Sequence, residues 1–140
     1  MKVKSIRQLK KLAGKKVFLR ADFNVPLRKG EVQDDYKIAA ALPTIRYLLR
    51  YKCKIIIATH LGELERIKNY ELRIKNYSIR PIAKRLSKLL GRRVKFINDC
   101  VGKQATKQAE NLKEGEVLVL ENLRFYKEEK GNNKIFAKNL

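Results

Sequence analysis

The sequence predicts an α/β domain with a mostly parallel sheet and flanking helices. Three observations lead there. Short apolar runs rich in β-branched residues occur four times, stretches with helical apolar spacing lie between them, and the joints are short. Alternation of that kind builds parallel strands joined by right-handed helical crossovers. A chain of 140 residues with 44% apolar content supports one domain and one core, taken here as residues 1–140.

The first run, Lys16 to Ala21, follows Gly14, and the second, Lys54 to Thr59, is more continuous, as a strand buried on both faces should be. Val94 to Ile97 and Glu116 to Leu120 supply two more, the last after the Glu114-Gly115 turn signal. Asp34 and Asp35 stand where a helix N-cap belongs, ahead of Ile38, Ala41, Leu42, Ile45, Leu48 and Leu49 at helical spacing. Pro43 inside that run predicts a kink or a restart. Ser78 is positioned to cap a helix with Pro81 in its first turn and a stop at Gly91. A weaker helical pattern covers Gly102 to Leu112. Strands and helices in this order describe a Rossmann-like three-layer sandwich.

Lysine and arginine total 34 against 14 acidic residues, a net charge of +20 that attracts anions without naming one. No secretory signal or membrane span is visible in the sequence, so the expected location is cytoplasmic and no membrane partner is expected. Cys53 and Cys100 match no metal-binding spacing and are expected as thiols, Cys53 at the start of a strand and Cys100 in a small loop or the core.

Ligands in such sheets bind beyond the carboxyl ends of the strands, where loops converge and helix N-termini point their free N–H groups. After the first strand come Asp22, Phe23, Asn24, Val25 and Pro26, a carboxylate and an amide closed by a proline. After the second come His60, Leu61 and Gly62, which include the only histidine. After the fourth come Glu121, Asn122, Leu123, Arg124 and Phe125, with a guanidinium suited to a carboxylate or phosphate. An Asp/Asn pair, a His and an Arg at three strand ends describe a compact site for a small oxygen-rich anion. No nucleophile, metal-ligand cluster or glycine-rich phosphate loop accompanies them.

These segments, with Ala40 to Ile45 and Asn98 to Gly102, resemble phosphoglycerate kinase in order and spacing over almost the whole chain. The resemblance implies a two-domain enzyme of glycolysis that moves a phosphoryl group between 1,3-bisphosphoglycerate and ADP, or from ATP to 3-phosphoglycerate in reverse. Its N-terminal domain binds the glycerate, and its C-terminal domain binds Mg-ATP or Mg-ADP. On this resemblance Asp22 and Asn24 hold the hydroxyl and carboxyl end of the substrate, while His60 and Arg124 hold its phosphate. Phe23 mostly packs, and Leu61 and Gly62 complete the substrate set. The family's transition-state arginine falls at Lys37, the expected catalytic position, where charge survives and the planar fork does not.

Two further departures stand out. Glu63 follows His60-Leu61-Gly62 where the family carries a phosphate-binding arginine, and a carboxylate there repels a substrate phosphate. A tandem repeat follows it, Arg66 to Leu72 and Arg73 to Ile79, in place of the family's irregular loop. Ile67, Tyr70, Ile74 and Tyr77 fall at helical spacing and predict an added amphipathic helix, with Arg66 one helical turn from Glu63 and able to restore the lost charge.

The resemblance also makes the chain an expected truncation. It is read as an incomplete N-terminal domain without the nucleotide-binding domain, with no cofactor or metal of its own, not expected to be active alone, and monomeric. One side of its sheet is expected to lack cover. The rival readings are a basic nucleic-acid-binding module, non-specific at most and motivated by the charge and by Tyr70 and Tyr77, and a non-functional relic.

Overall fold

A computed structural model of the protein describes residues 3–140. Its elements are β1 (Lys16–Arg20), β2 (Leu27–Arg28), β3 (Glu31–Val32), α1 (Tyr36–Arg50), β4 (Lys54–Ala58), α2 (Tyr70–Tyr77), α3 (Arg80–Leu90), β5 (Lys95–Phe96), α4 (Lys103–Glu110), β6 (Val117–Val119), α5 (Lys127–Lys130) and α6 (Lys134–Asn139). Single 3₁₀ turns occur at Ile6–Gln8 and Leu123–Phe125. The four predicted strands form one parallel sheet in the order β1-β4-β6-β5.

Alternate residues of β4 and β6 point to opposite faces. Ile55, Ile57, Val117 and Val119 join Ile38, Ile45, Leu48, Ile82 and Leu86 beneath α1 and α3. Ile56, Ala58, Leu118 and Leu120 join Ala105 of α4, Leu123 and Phe136 of α6. The sheet is therefore the middle of three layers. Over β1 the layer is thinner, and Phe18, in register with Ile56, is 45% exposed.

The helix over Pro43 is continuous from Tyr36 to Arg50, so the chain does not restart there. Pro43 lies on the exposed side, while Ile38, Leu42, Ile45 and Leu48 are buried on the other. The lost hydrogen bond and ring clash cost about 3 kcal/mol. Burying four aliphatic side chains contributes about 6 kcal/mol or more, so packing wins. At the helix start, Asp35 makes no side-chain cap, and Asp34 instead accepts the Tyr36 N–H at 2.8 Å.

The tandem repeat does not fold as a repeat. Helix α2 begins at Tyr70, with Asn69 as its cap accepting from the Leu72 N–H at 3.1 Å, and the first copy's Arg66 and Ile67 lie outside it. No residue of α2 is buried, so no apolar face selects a longer helix. The Lys29-Gly30 pair, with φ of 51° and 74°, closes an unpredicted antiparallel hairpin between β2 and β3. Cys53 sits buried just before β4 and Cys100 in a buried loop position, both as free thiols held up in pKa by burial.

Candidate functional site

Asp22, His60 and Arg124 each follow a strand of the central sheet, and hydrogen bonds draw their loops together. Asp22 accepts the Asn24 N–H at 3.0 Å with one oxygen and pairs with Lys37 Nζ at 2.8 Å with the other. The Lys37 ammonium holds the Asp22 carboxyl below its ordinary range. Lys37 is the second residue of α1, so it brings its charge from a helix start. Phe23 places its ring in the core, and its N–H donates to Thr59 Oγ1 at 3.0 Å, tying the β1 exit to the β4 exit.

Asn24 Oδ1 accepts the Gly62 N–H at 3.1 Å. Gly62 has φ of 71°, and a Cβ there would lie 2.5 Å from the Tyr77 ring, so the loop carrying His60 can turn here only with glycine. Leu61 is buried and clamped by Asn122, which accepts the Leu61 N–H at 3.1 Å and donates to the Leu61 carbonyl at 2.9 Å. Asn122 also donates to the Tyr77 carbonyl at 2.9 Å and accepts the Arg124 N–H at 3.0 Å. Fully buried and fully bonded, it joins the β4 exit, the end of α2 and the β6 exit at one point.

Arg124 is largely buried, with 15% of its side chain exposed. Its Nε lies 3.0 Å from Glu129 Oε2, charge beside charge but off hydrogen-bond alignment, so Nε and Nη1 are buried donors without a hydrogen-bonding acceptor. His60 Nδ1 is likewise buried and unbonded. Burial, then the positive charges of Arg124 and Arg20, push the His60 pKa down, so the ring is neutral at neutral pH. Unsatisfied buried donors beside a neutral imidazole make a place that an anion would complete.

Glu63 is exposed and pairs with Lys130 Nζ at 2.6 Å, and it stands 3.9 Å from Arg124 Nη1. Lys130 also bonds Glu65, and these two carboxylates raise its pKa. Arg66 lies exposed in a turn and is not on a helix with Glu63, so the predicted compensation falls to Lys130 instead. Arg20 at the end of β1 donates to Glu129 at 2.7 Å, and Glu129 thereby bridges Arg20 and Arg124.

Sequence reasoning missed Asn122, Arg20, Glu129 and Lys130 as parts of the site. Asn122 was legible as a member of the Glu121-to-Phe125 segment, and Arg20 as the last residue of its strand. No local signal marks Glu129 or Lys130, whose partners lie 109 and 67 residues away. Cavities flank the assembly on both sides, one of about 650 Å³ against Asn24 and Gly62 and one of about 480 Å³ against Arg124 and Tyr126.

Fold and site together define an α/β domain that gathers Asp, Asn, His and Arg residues at its strand ends. A model of the family described as phosphoglycerate kinase matches residues 6–140. The chain belongs to the phosphoglycerate kinase family. A phosphoglycerate kinase of Borrelia garinii subsp. bavariensis is 44% identical over 140 residues, all of this chain and 34% of the relative. One of Dictyoglomus turgidum is 49% identical over 129 residues, 92% of this chain and 31% of the relative. The crystal structure of phosphoglycerate kinase from Pyrococcus horikoshii OT3 superposes with a TM-score of 0.77 at 35% identity, covering 91% of this chain and 32% of that one. That from Coxiella burnetii gives 0.77 and 35% over 96% of this chain and 31% of its own. The chain thus spans about a third of the length of the relatives it matches.

Proposed function

We propose that this chain forms the glycerate-binding side of a phosphoglycerate kinase, gripping 3-phosphoglycerate or 1,3-bisphosphoglycerate for phosphoryl exchange with a Mg-nucleotide. The observation that carries the reading is the pair of buried, unbonded donors on Arg124, set beside the neutral His60 and across from Asp22 and Asn24. Arg124 and His60 take the substrate phosphate. Asp22 and Asn24 take the hydroxyl and carboxyl end, with Lys37 beside them to neutralise charge on the group in transfer.

Leu61 and Gly62 hold the loop shape, and Phe23 contributes its packing. Glu63 opposes the phosphate, offset in part by Lys130, while Arg66 stands apart in its turn. On this reading the Mg-nucleotide is held by the family's C-terminal domain, and the glycerate by this chain. The chain's own contribution is to bind and orient the glycerate and, through Lys37, to neutralise charge on the group in transfer. The reading carries with it a cytoplasmic location and a monomer, and no described helix is long and apolar enough to cross a membrane.

A calorimetric titration with 3-phosphoglycerate at low salt, beside Arg124→Ala, tests the proposal. Saturable binding that the variant loses is expected. A folded chain that binds nothing, or a variant that binds as well as the parent, overturns it.

A further inference from the structure

A second basic feature lies at the other end of the molecule. Helices α1 and α3 end near the strand starts: the Cys53 N–H ahead of β4 donates to the Leu48 carbonyl at 3.2 Å, the Gly14 N–H ahead of β1 donates to the Tyr51 carbonyl at 3.0 Å, and Arg92, just past α3, bonds Gly115 ahead of β6. Asp22, His60 and Arg124 follow the opposite, carboxyl ends of the strands. Between the two helix ends runs a groove of about 670 Å³ lined by Arg7, Arg46, Arg50 and Arg92, with Tyr47 and the apolar side chains of Leu49 and Leu90. No carboxylate lines it.

Cations at helix C-termini are favoured by the helix dipole, and Arg46 does that work at the end of α3, while Arg92 is held by the turn before β6. Arg46 donates to the Leu89 carbonyl at 3.1 Å, and Arg92 donates to the Gly115 carbonyl at 2.9 Å. Each bond uses part of a guanidinium that carries five N–H donors. The bonds therefore fix both groups in place while leaving donors free. Arg46 and Arg50 are four residues apart and share one face of α1, and Arg7 reaches the groove from the 3₁₀ turn at Ile6–Gln8. Four like charges gathered without a counter-charge repel one another, and a bound polyanion would relieve that repulsion.

The aromatic lining narrows the ligand class. Arg50 lies 5.6 Å from the Tyr47 ring centroid, and the Tyr51 ring stands 5.1 Å from it at a tilt. Tyr47 is therefore already engaged and offers a poor platform for a base, which disfavours single-stranded nucleic acid. Guanidinium groups spread along a groove match successive phosphates of a chain, each able to take a forked pair of hydrogen bonds. We infer that the Arg7–Arg46–Arg50–Arg92 groove binds a linear oligophosphate, independently of the glycerate site.

Calorimetric titration of the chain with inorganic tripolyphosphate at low ionic strength tests this. The double variant Arg7→Gln/Arg50→Gln touches two exposed side chains and neither carbonyl bond. One tripolyphosphate per chain is expected, weakened about tenfold or more by the double variant. It should change by less than about twofold in Lys107→Gln/Lys134→Gln, which removes the same charge elsewhere, and in Arg124→Ala. If the double variant melts at a lower temperature, Arg7→Gln alone serves, with a loss of about threefold expected. The inference fails if the chain does not bind tripolyphosphate, if both double variants lose affinity equally, or if orthophosphate binds as tightly. It fails also if a single-stranded oligonucleotide binds the groove more tightly than tripolyphosphate does, for then the groove reads nucleic acid.

Discussion

Replacing Glu63 with glutamine removes one negative charge from the edge of the phosphate position while keeping the side chain's size. Its carboxylate stands 3.9 Å from Arg124 Nη1 and 2.6 Å from Lys130 Nζ, and its side chain is 66% exposed. A phosphate seated on Arg124 would lie about 6 Å from that carboxylate, where a dianion is repelled by about 1.4 kcal/mol at the dielectric of water and roughly four times more at an effective value near 20. The exposure of Glu63 favours the lower figure. Releasing Lys130 from Glu63 adds an attraction of the same sign. Glu63→Gln should therefore bind 3-phosphoglycerate about tenfold more tightly. Titration calorimetry at low salt measures the gain. Repeating it near 1 M salt, where the screening length is about 3 Å, should shrink it. Unchanged or weaker binding at low salt would refute the placement of the substrate phosphate on Arg124 beside Glu63.

Three further outcomes are expected. Gly62→Ala forces a Cβ to 2.5 Å from the Tyr77 ring at a φ of +71°, and a denaturant melt should show a loss of about 1–3 kcal/mol; an unshifted midpoint contradicts the loop geometry. Asn122→Ala strips partners from the Leu61 N–H and carbonyl, the Tyr77 carbonyl and the Arg124 N–H, and should cost about 3 kcal/mol in urea unfolding, whereas a loss under about 1 kcal/mol would show that the clamp is dispensable. His60 has its pKa lowered first by burial, so the unfolded chain binds a proton more readily than the folded one. Its contribution to stability is complete above the ordinary value of 6.5 and is lost as pH falls from there through the lower folded value. The difference in stability between parent and His60→Gln should change across that window, and a difference independent of pH would remove the assigned burial effect.

The sheet was legible in the sequence chiefly because its central strands, β4 and β6, are apolar on both faces: Ile55, Ile56 and Ile57 alternate between two cores, and a continuous run records that directly. The strand ends were legible for the same reason, and they located Asp22, His60 and Arg124. Pro43 does not restart the helix, because a local rule meets a larger tertiary term in the buried face of α1. The repeat misled because two heptads alike in their first five residues need not share a conformation when their surroundings differ: Asn69 caps α2 and its counterpart Asn76 lies within it, and Leu72 is exposed where its counterpart Ile79 is fully buried. The ion pairs around Arg124 were out of reach because no periodicity links residues 63, 129 and 20. Where such pairing decides charge, as Lys130 does for Glu63, only the folded geometry supplies it.

The central claim is that a phosphoglycerate binds at the strand ends on Asp22, Asn24, His60 and Arg124. Amide chemical shifts followed by two-dimensional NMR during titration with 3-phosphoglycerate test it most directly. Saturating shifts at Asn24, Leu61, Gly62 and Arg124, with Arg7 and Arg50 still, are the predicted result. Shifts confined to Arg7, Arg46, Arg50 and Arg92, or none at saturation, would contradict it.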